Sequence, residues 1–432
     1  MRVAAAALVL LVAACGREPL PRPSVIVVTL DTTRPDHLGC YGYDGGTSPS
    51  LDALAADAEV YEDALSTSSW TLPAHASLFT GQVPNRHQAR YDERGPLVLT
   101  QAIEGPFERY RVRGLGKDAV TLAQILRDHG YATGAVVGGP WMKPVFGLDR
   151  GFTSYDAAGI REVNGRPANE VTDAALRWLG ERGGEPFFLF LNYFDPHAPF
   201  DPPASWRPEL RPVLRNDLIA LYDLEIRFMD EHLGRLLAAL RARGLWDDLL
   251  VIVTADHGEL LGEHALWGHG LTLSQEELRV PLLIKFPAGD RRRGRRRERA
   301  QLTDVLPTVL ARLGLPVPAD VQGGVLPRIA HPVVAELQVI PAVSARGSYR
   351  ALFEGSWKYV ENSGGATMLY DLATDPREND DRSRGEASQT QAMGGRLRSY
   401  LDALERAAPD APESPVDPET VRALEALGYL RK

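Results

Sequence analysis

Short runs of apolar residues without polar alternation mark the strands that this chain is expected to form. Four such runs occur at Val25–Leu30, Ala132–Gly138, Phe187–Phe194 and Leu249–Ala255. A strand that is apolar on both faces is typical of a parallel sheet that helices cover on both sides. We therefore predict that these runs form the centre of such a sheet.

Segments with apolar residues at helical spacing lie between these runs. One segment starts at Thr121, a residue type that caps helices well, and stops at Gly130. A longer one carries apolar residues at helical spacing from Leu218 to Leu240 and ends at Gly244. This alternation of strands and helices predicts an α/β fold with a large wound sheet flanked by helices.

The last hundred residues follow a different pattern. Residues Ser356–Asp380 indicate short antiparallel strands joined by turns, followed by a polar, proline-rich stretch and a last helix at Pro418–Leu430. We expect a main domain over residues 25–330, and a smaller C-terminal antiparallel sheet subdomain with a tail over residues 331–432.

The N-terminus is typical of a signal peptide. A positive charge at Arg2 precedes the apolar run Val3–Ala14, which is too short to span a bilayer. Cys15 directly follows Val-Ala-Ala, which resembles a bacterial lipobox and implies cleavage before Cys15 and lipid attachment to it; a plain signal peptide is the alternative. Residues 16–24 would then be a tether. Gly16-Arg17 lacks the Asp that indicates inner-membrane retention, so we expect a lipoprotein of the outer membrane, facing the periplasm or the cell surface.

Composition narrows the function classes. Asp and Glu (57) outnumber Lys and Arg (48), so the overall charge gives no reason to expect nucleic acid as a partner. With Cys15 lipidated, only Cys40 of the two cysteines remains, and no internal disulfide can form. The run Arg291–Arg299 could bind phosphate-rich polymers, but we interpret it as a solvent-exposed loop between a strand and a helix.

A carboxylate follows three of the four apolar runs: Asp31, Asp195 and Asp256. An aspartate after a strand is usually a turn or cap residue, but ligand sites lie outside the carboxyl ends of such strands, and three carboxylates there favour a metal or catalytic cluster. His257 follows Asp256, so that a carboxylate oxygen and an imidazole nitrogen can reach one cation. Asp31, Asp256 and His257 are therefore candidate ligands for Ca²⁺, Mg²⁺, Mn²⁺ or Zn²⁺.

Thr71 precedes Leu72-Pro73, and proline is favoured in the first turn of a helix. Thr71 is therefore expected at or near a helix N-cap, where its hydroxyl would most often satisfy a free N–H. Beside a cation, however, the same position would favour an alkoxide nucleophile. His75, one turn later on the same face, would orient that nucleophile or bind an anionic substrate.

Further histidines are candidates for the proton transfer that ester hydrolysis requires. His197 lies in a proline-rich loop, where we expect a fixed and exposed imidazole, and His264 and His269 lie close after His257. Each alone is typical of a surface histidine. Together with the carboxylates they become candidates for the general acid.

At these residues the chain resembles the sulfatase family of the alkaline phosphatase superfamily. The segments that carry the resemblance are "VVTLDTTRPDHLGCYG", "TLPAHASLFTG", "VIVTADHGELLGEHALWGHG", "LTDVLPTVLARLGL" and "LYDLATDPREN". The resemblance implies an alkaline phosphatase-like fold with a central mixed sheet and a small C-terminal sheet. It places Asp31, Asp256 and His257 on metal-ligand positions and His197 on an active-site position. His269 lies where sulfatases usually have a lysine that contacts the anion.

The chain departs from the family at two positions. Sulfatases read Cys/Ser-x-Pro-x-Arg, with the first residue oxidised to formylglycine, whereas here Thr71 and His75 occupy the outer positions. We expect no formylglycine, because threonine is not a known substrate for that conversion. Thr32 stands in place of a second metal-binding aspartate. The combination is similar to phosphoryl-transfer members of the superfamily, in which a threonine attacks phosphorus.

The residues together predict a lipid-anchored, metal-dependent hydrolase of a sulfate ester, a phosphate mono- or diester, or a phosphonate ester. Thr71 would be the nucleophile, His197 or His269 would protonate the leaving group, and an envelope glycan or lipid could carry the anionic ester. Two alternatives remain at this point. One is an envelope phospho-headgroup transferase resembling lipoteichoic acid synthases, and the other is a non-catalytic binding lipoprotein on the same scaffold.

Overall fold

The structure is a computed structural model that describes residues 22–92, 97–99, 110–160, 165–206, 215–338 and 347–407. The predicted signal peptide, Cys15, most of the tether and the predicted last helix lie outside these residues. The strands are β1 (Val25–Leu30), β2 (Glu59–Tyr61), β3 (Ala64–Leu65), β4 (Arg90–Tyr91), β5 (Leu97–Leu99), β6 (Tyr110–Arg113), β7 (Ala132–Val137), β8 (Ser154–Asp156), β9 (Phe187–Tyr193), β10 (Leu250–Thr254), β11 (Leu260–Leu261), β12 (Trp267–Gly268), β13 (Arg279–Val280), β14 (Leu282–Lys285), β15 (Gly294–Arg296), β16 (Ala300–Gln301), β17 (Val333–Leu337), β18 (Tyr349–Glu354), β19 (Trp357–Asn362) and β20 (Thr367–Asp371). The helices are α1 (Pro49–Ala55), α2 (Thr71–Thr80), α3 (Pro84–His87), α4 (Leu122–Asp128), α5 (Ala168–Gly180), α6 (Arg215–Ala242), α7 (Gln275–Leu278), α8 (Val305–Arg312) and α9 (Ala387–Ala407).

A large mixed sheet organises the described residues. Its strand order is β15-β2-β14-β10-β1-β9-β7-β8, and β14 runs antiparallel to the other strands. The four apolar runs are β10, β1, β9 and β7, which lie side by side at its centre. The prediction of a wound α/β sheet is confirmed, with strand ends within one residue of the predicted ones.

Burial on both faces explains why these strands lack polar alternation. In β1, Val25 and Val27 pack into one hydrophobic core, and Ile26 and Val28 pack into the other. Helices α2, α4 and α8 cover the first face, and α1, α5 and α6 cover the second. Each residue of β1 is therefore buried, whichever way its side chain points.

The two helices predicted from periodicity form where the sequence indicates. Helix α4 has Thr121 as its N-cap, whose hydroxyl accepts from the N–H of Gln124 while the Gln124 side chain accepts from Thr121 N–H. Gly130 follows the helix with φ +84°, the left-handed conformation that glycine adopts without penalty. Gly244 has φ +70° just beyond α6.

The C-terminal region forms a separate antiparallel sheet, β17-β18-β19-β20, as the sequence pattern indicates. Residues 387–407, within the polar stretch that follows this sheet, form α9. Met393, Leu397 and Leu401 recur every four residues and bury one face of this otherwise polar helix. In β19, the Lys358 ammonium is buried, donates to Leu273 O and pairs with Glu378, which joins this sheet to the main domain.

The arginine-rich run lies between β14 and α8 and is exposed at most of its positions, as expected, but part of it is a strand rather than a loop. Residues Gly294–Arg296 form the edge strand β15, which pairs with β2. The buried carboxylate of Glu59 on β2 binds both Arg292 and Arg296, and these two arginines lower its pKa although burial alone would raise it. Among the described residues, no helix combines the length and apolar character needed to cross a bilayer.

One close contact provides a test of the sheet packing. A Cβ added at Gly134 in β7 would lie 2.3 Å from the Trp178 indole of α5. We expect Gly134→Ala to lower the free energy of unfolding by about 1–3 kcal/mol, because the indole must shift inside a packed core. Denaturant unfolding measures the change. Gly184, where an added Cβ would meet no atom within 4 Å, is the control, and an equal loss with Gly184→Ala would contradict this packing.

Candidate functional site

Strand register brings two aspartates together at the carboxyl end of the central sheet. Thr29 of β1 pairs with Thr254 of the parallel strand β10, so Asp31 and Asp256, two residues later on each strand, lie level with each other. Level residues of neighbouring parallel strands point to the same face. Both side chains are fully buried. The predicted convergence of these two carboxylates is present in the structure.

Asp195 does not join them, so the expectation of three converging carboxylates is wrong. Leu30 pairs with Tyr193 of β9, which places Asp195 level with Thr32 rather than with Asp31. A shift of one residue turns a side chain to the opposite face. Asp195 instead accepts a hydrogen bond of 2.9 Å from Ala168 N–H at the start of α5, and burial raises its pKa to about 7.

Thr32 is held in a left-handed backbone conformation, with φ +51°. This conformation is rare for a β-branched residue, and such outliers cluster at functional sites. It directs the Thr32 N–H to Asp256 Oδ1 at 3.3 Å, while the hydroxyl donates to Pro196 O at 2.9 Å. The Thr32 side chain therefore does not supply the oxygen ligand that a second aspartate would supply here.

His257 presents an unprotonated nitrogen to the two carboxylates. Its Nδ1–H donates to Gly258 O at 2.9 Å, which leaves Nε2 with a free lone pair. Nε2 lies 3.4 Å from Asp256 Oδ2 and 4.0 Å from Asp31 Oδ1. Burial lowers the pKa of His257 to about 4, so the imidazole is neutral at physiological pH.

The free atoms of this cluster fit a divalent cation. Asp31 Oδ1 and Asp256 Oδ2 are buried without a hydrogen-bond partner, and the three ligand atoms lie within 4.8 Å of one another. Burial and, next, the charge of Asp256 raise the pKa of Asp31. Two carboxylate oxygens and a neutral imidazole suit a divalent metal ion, whose charge would offset the repulsion between the carboxylates.

Thr71 lies at this cluster. The N-cap of α2 is Trp70, so Thr71 is the first helical residue, one position further into the helix than an N-cap. Its Oγ1 lies 3.3 Å from His257 Nε2, and the residue is only 1% exposed. The free N–H groups and the dipole of a helix N-terminus favour negative charge at this position.

His75 lies beneath the cluster rather than on its open side. Its Nδ1–H donates to Thr71 O at 2.9 Å, and its Nε2 accepts from Thr29 Oγ1 at 2.9 Å. Nδ1 is also 3.5 Å from Asp256 Oδ2. The imidazole has no exposed surface, and burial lowers its pKa. This geometry suits orientation of Thr71 and Asp256 better than contact with a substrate.

Sequence reasoning missed two buried polar residues that support Asp31. Asn192 of β9 directs its Nδ2 to Thr29 Oγ1 (3.3 Å) and Asp31 Oδ2 (3.4 Å), and its Oδ1 accepts from Gly139 N–H (2.8 Å). Thr29 in turn fixes His75. An asparagine inside an otherwise apolar buried strand was the available signal, since a buried amide requires hydrogen-bond partners.

Two histidines lie on the open side of the cluster. The His269 ring is 4.6 Å from the His257 ring and 4.9 Å from the His197 ring. His269 Nδ1 is 2.9 Å from the buried carboxylate of Glu259, another residue that sequence reasoning missed although it lies two positions after His257. Burial alone would lower the pKa of His269, but Glu259 raises it above its ordinary value.

His197 is half-buried rather than exposed. Its ring stacks on Phe194 with 4.2 Å between centroids, and its Nδ1–H donates to Ala198 O at 2.6 Å. Burial and, next, the charge of His269 lower the pKa of His197. His264, the other histidine of this segment, lies 3.5 Å from Glu276.

Comparisons with known proteins place the chain among sulfatases. A family model described as Sulfatase matches residues 23–315. The chain is 24% identical over 435 residues to the uncharacterized sulfatase YidJ of Escherichia coli K12, covering 83% of this chain and 82% of that protein. It is 25% identical over 471 residues to the multifunctional alkaline phosphatase superfamily protein PehA of Trinickia caryophylli, covering 83% and 91%. The structure of the phosphonate monoester hydrolase of Agrobacterium radiobacter superposes with a TM-score of 0.68 at 22% identity, covering 89% and 96% of the two chains.

Asp256 and Asp195, two of the three aspartates that follow strands, provide a matched pair for testing cation binding. We expect Asp256→Asn to weaken divalent-metal affinity by at least about 100-fold, because it removes a ligand oxygen from the cluster. Asp195→Asn, which alters a carboxylate turned away from the cluster, should leave that affinity within a few fold. Isothermal titration with Mn²⁺ and Ca²⁺ distinguishes them, and equal losses in both variants would contradict the assigned ligands.

The pKa of Asp31 predicts proton release on cation binding. Because burial and the charge of Asp256 raise this pKa, Asp31 holds its proton to a higher pH than an ordinary aspartate, and a metal ion that binds below this pKa must displace the proton. The affinity for the metal ion should therefore increase as pH rises through the pKa of Asp31. His257, with a pKa of about 4, is already neutral in this pH range. Titration in buffers of different ionisation enthalpy counts the protons released. Affinity that does not change with pH in this range would show that Asp31 is not a ligand.

Proposed function

The chain belongs to the sulfatase family of the alkaline phosphatase superfamily and is a hydrolase of sulfuric or phosphoric ester bonds; on that premise we propose that Thr71 is its nucleophile and that a divalent cation activates it. The observation that carries the proposal is the position of the Thr71 hydroxyl. It lies 3.3 Å from His257 Nε2 and belongs to the first turn of α2.

The residues around Thr71 prepare its hydroxyl for attack. Thr71 O–H donates to the lone pair of His257 Nε2, which keeps the oxygen on the cluster side of the helix. His75 fixes the carbonyl of Thr71 and thereby the start of α2. A divalent cation held by Asp31, Asp256 and His257 would lower the pKa of a hydroxyl beside it.

The two outer histidines differ in the direction of their pKa shifts, which separates their roles. Glu259 raises the pKa of His269, whereas burial lowers the pKa of His197, whose Nδ1–H donates to Ala198 O and leaves a lone pair on Nε2. Glu259 holds Nδ1 of His269, so Nε2 is the nitrogen available to a substrate. We assign His269 as the acid that protonates the leaving oxygen, and His197 as a residue that positions the substrate.

The proposed substrate is an anionic ester of phosphorus: a phosphodiester or a phosphonate monoester. Threonine in place of the formylglycine precursor favours attack on phosphorus over sulfate hydrolysis. The proposed location is the outer membrane, through a lipid on Cys15, where envelope glycans and lipids carry such esters. Mass spectrometry of the N-terminal peptide of the mature protein tests this location.

Substitution of Thr71 tests the nucleophile directly. We expect Thr71→Ala to lower kcat on an aryl phosphodiester by at least about 1000-fold, while Thr71→Ser keeps a measurable fraction because it retains a hydroxyl. Metal affinity should stay within a few fold in both variants. The assay runs an aryl sulfate in parallel, with and without chelator.

Either of two results would refute the assignment. One is full chelator-sensitive turnover by Thr71→Ala, which would place the nucleophile elsewhere. The other is aryl sulfate hydrolysis that exceeds phosphodiester hydrolysis in the unaltered enzyme, which would overturn the choice of phosphorus.

A further inference from the structure

A basic pocket lies at the end of the main sheet opposite to the metal cluster. Its volume is about 340 Å³, within the range of small-molecule sites. Its walls combine aromatic and cationic side chains: Trp246, Phe286, Lys285, Arg291, Arg292 and Arg293. Two carboxylates, Asp57 and Asp247, also line it. None of these residues takes part in the hydrolytic site.

The strand register places this pocket beside the point where the chain enters the sheet. Ser24 O accepts from Leu250 N–H at 3.0 Å, and Lys285 of β14 pairs with Val251 of β10. Lys285 is therefore two strands from β1, a distance of about 10 Å. Asp31 is at the other end of β1, about 20 Å away at the rise of an extended strand.

Two arginines at the pocket differ from the rest of the run because they form no ion pair with any described residue. The other arginines of the run are held by carboxylates of the segment around β2: Arg292 and Arg296 by Glu59, Arg295 and Arg297 by Glu62, and Arg299 by Asp63. Arg291 and Arg293 are exposed and form no ion pair within the part of the chain that the structure describes. Arg291 also has φ +50°, a conformation rare outside glycine that recurs at ligand sites.

Aromatic faces lie next to these charges. The Arg241 guanidinium lies 3.8 Å from the Trp246 ring centroid, and Lys285 Nζ lies 4.7 Å from it. Arg292 stacks over Phe286 at 3.9 Å. Lys285 also donates to the carbonyls of Trp246 and Leu249. Tryptophan beside basic residues suits the boundary between headgroup and acyl chain of a lipid, which is polar on one side and apolar on the other.

The length of the tether limits how far this edge can lie from a membrane. If Cys15 carries a lipid, residues 16–24 span at most about 30 Å even when fully extended. Anionic lipid surfaces attract basic residues within about a Debye length of the bilayer. We propose that this pocket, through Arg291 and Arg293, binds the phosphate of an anionic phospholipid headgroup, so that this edge faces the membrane and the hydrolytic site faces away from it.

The proposed phospholipid site goes beyond the proposed function, and the lipid on Cys15 enters only as the reason why this edge of the molecule would face the membrane.

A binding titration tests the site. The full chain in neutral detergent is titrated with short-chain phosphatidylglycerol, with short-chain phosphatidylcholine and with inorganic phosphate. We expect saturable binding of phosphatidylglycerol alone. The double variant Arg291→Gln/Arg293→Gln should bind it about 30-fold more weakly.

The same arginine run supplies the matched control. Arg295→Gln/Arg297→Gln removes equal charge from side chains that pair with Glu62 and do not line the pocket, and should keep the affinity within about threefold. Both variants should retain the melting temperature and the ester hydrolysis of the unaltered chain, since these residues lie far from the cluster.

Three results would overturn the proposal. They are equal binding of both lipids, equal loss in the two double variants, and inorganic phosphate binding as tight as that of phosphatidylglycerol, which would indicate a small-anion pocket. Because the titration does not depend on hydrolysis, its failure is distinct from failure of the Thr71 assignment. Peptide mass spectrometry of Cys15 tests the anchor separately.

Discussion

Two carboxylates buried side by side impose the main constraint on this structure. Burying one charged carboxylate is costly, and a second of the same sign beside it adds repulsion. One oxygen of each aspartate is held by donors: the amide of Asn192 for Asp31, and the N–H groups of Thr32 and His257 for Asp256. The remaining two oxygens lack donors and face the His257 lone pair. A divalent cation at this position would offset the charge of these two oxygens.

The polar residues around this cluster act as a second layer that fixes it to rigid elements. Thr29 joins β1 to His75 of α2, and Asn192 joins β9 both to Asp31 and to the backbone at Gly139. Thr29, Asn192 and His75 belong to β1, β9 and α2, and their side chains are fully buried, as is that of Asp31. A site built on such elements holds its geometry better than one built on loops, and the nucleophile assignment depends on that precision.

The central sheet also separates two chemically different ends of the molecule. Its carboxyl end carries the buried aspartates and the neutral His257, and its amino end carries the basic pocket near Lys285 and the entry of the chain at Ser24. Parallel strands have this consequence generally, because all their carboxyl ends meet at one edge. An enzyme tethered at the amino end would present its active site away from the tether without any additional domain.

Local sequence determined the elements and the chemistry of this protein. Buried parallel strands need apolar residues on both faces, so β1, β7, β9 and β10 were predictable from their apolar runs. Helices α4 and α6 were predictable because their apolar residues follow the 3.6-residue helical repeat. The side-chain types of Asp31, Asp256 and His257 made them candidate metal ligands. Only the tertiary structure decided which carboxylates meet. Asp31 and Asp256 lie level, whereas Asp195 is one residue out of step and turns away, and this register depends on pairing between segments more than 150 residues apart. Packing between strands and loops likewise decided the partners of His269 and Asp31, which are Glu259 and Asn192. The local pattern could mark Asn192 only as a buried amide that needs partners.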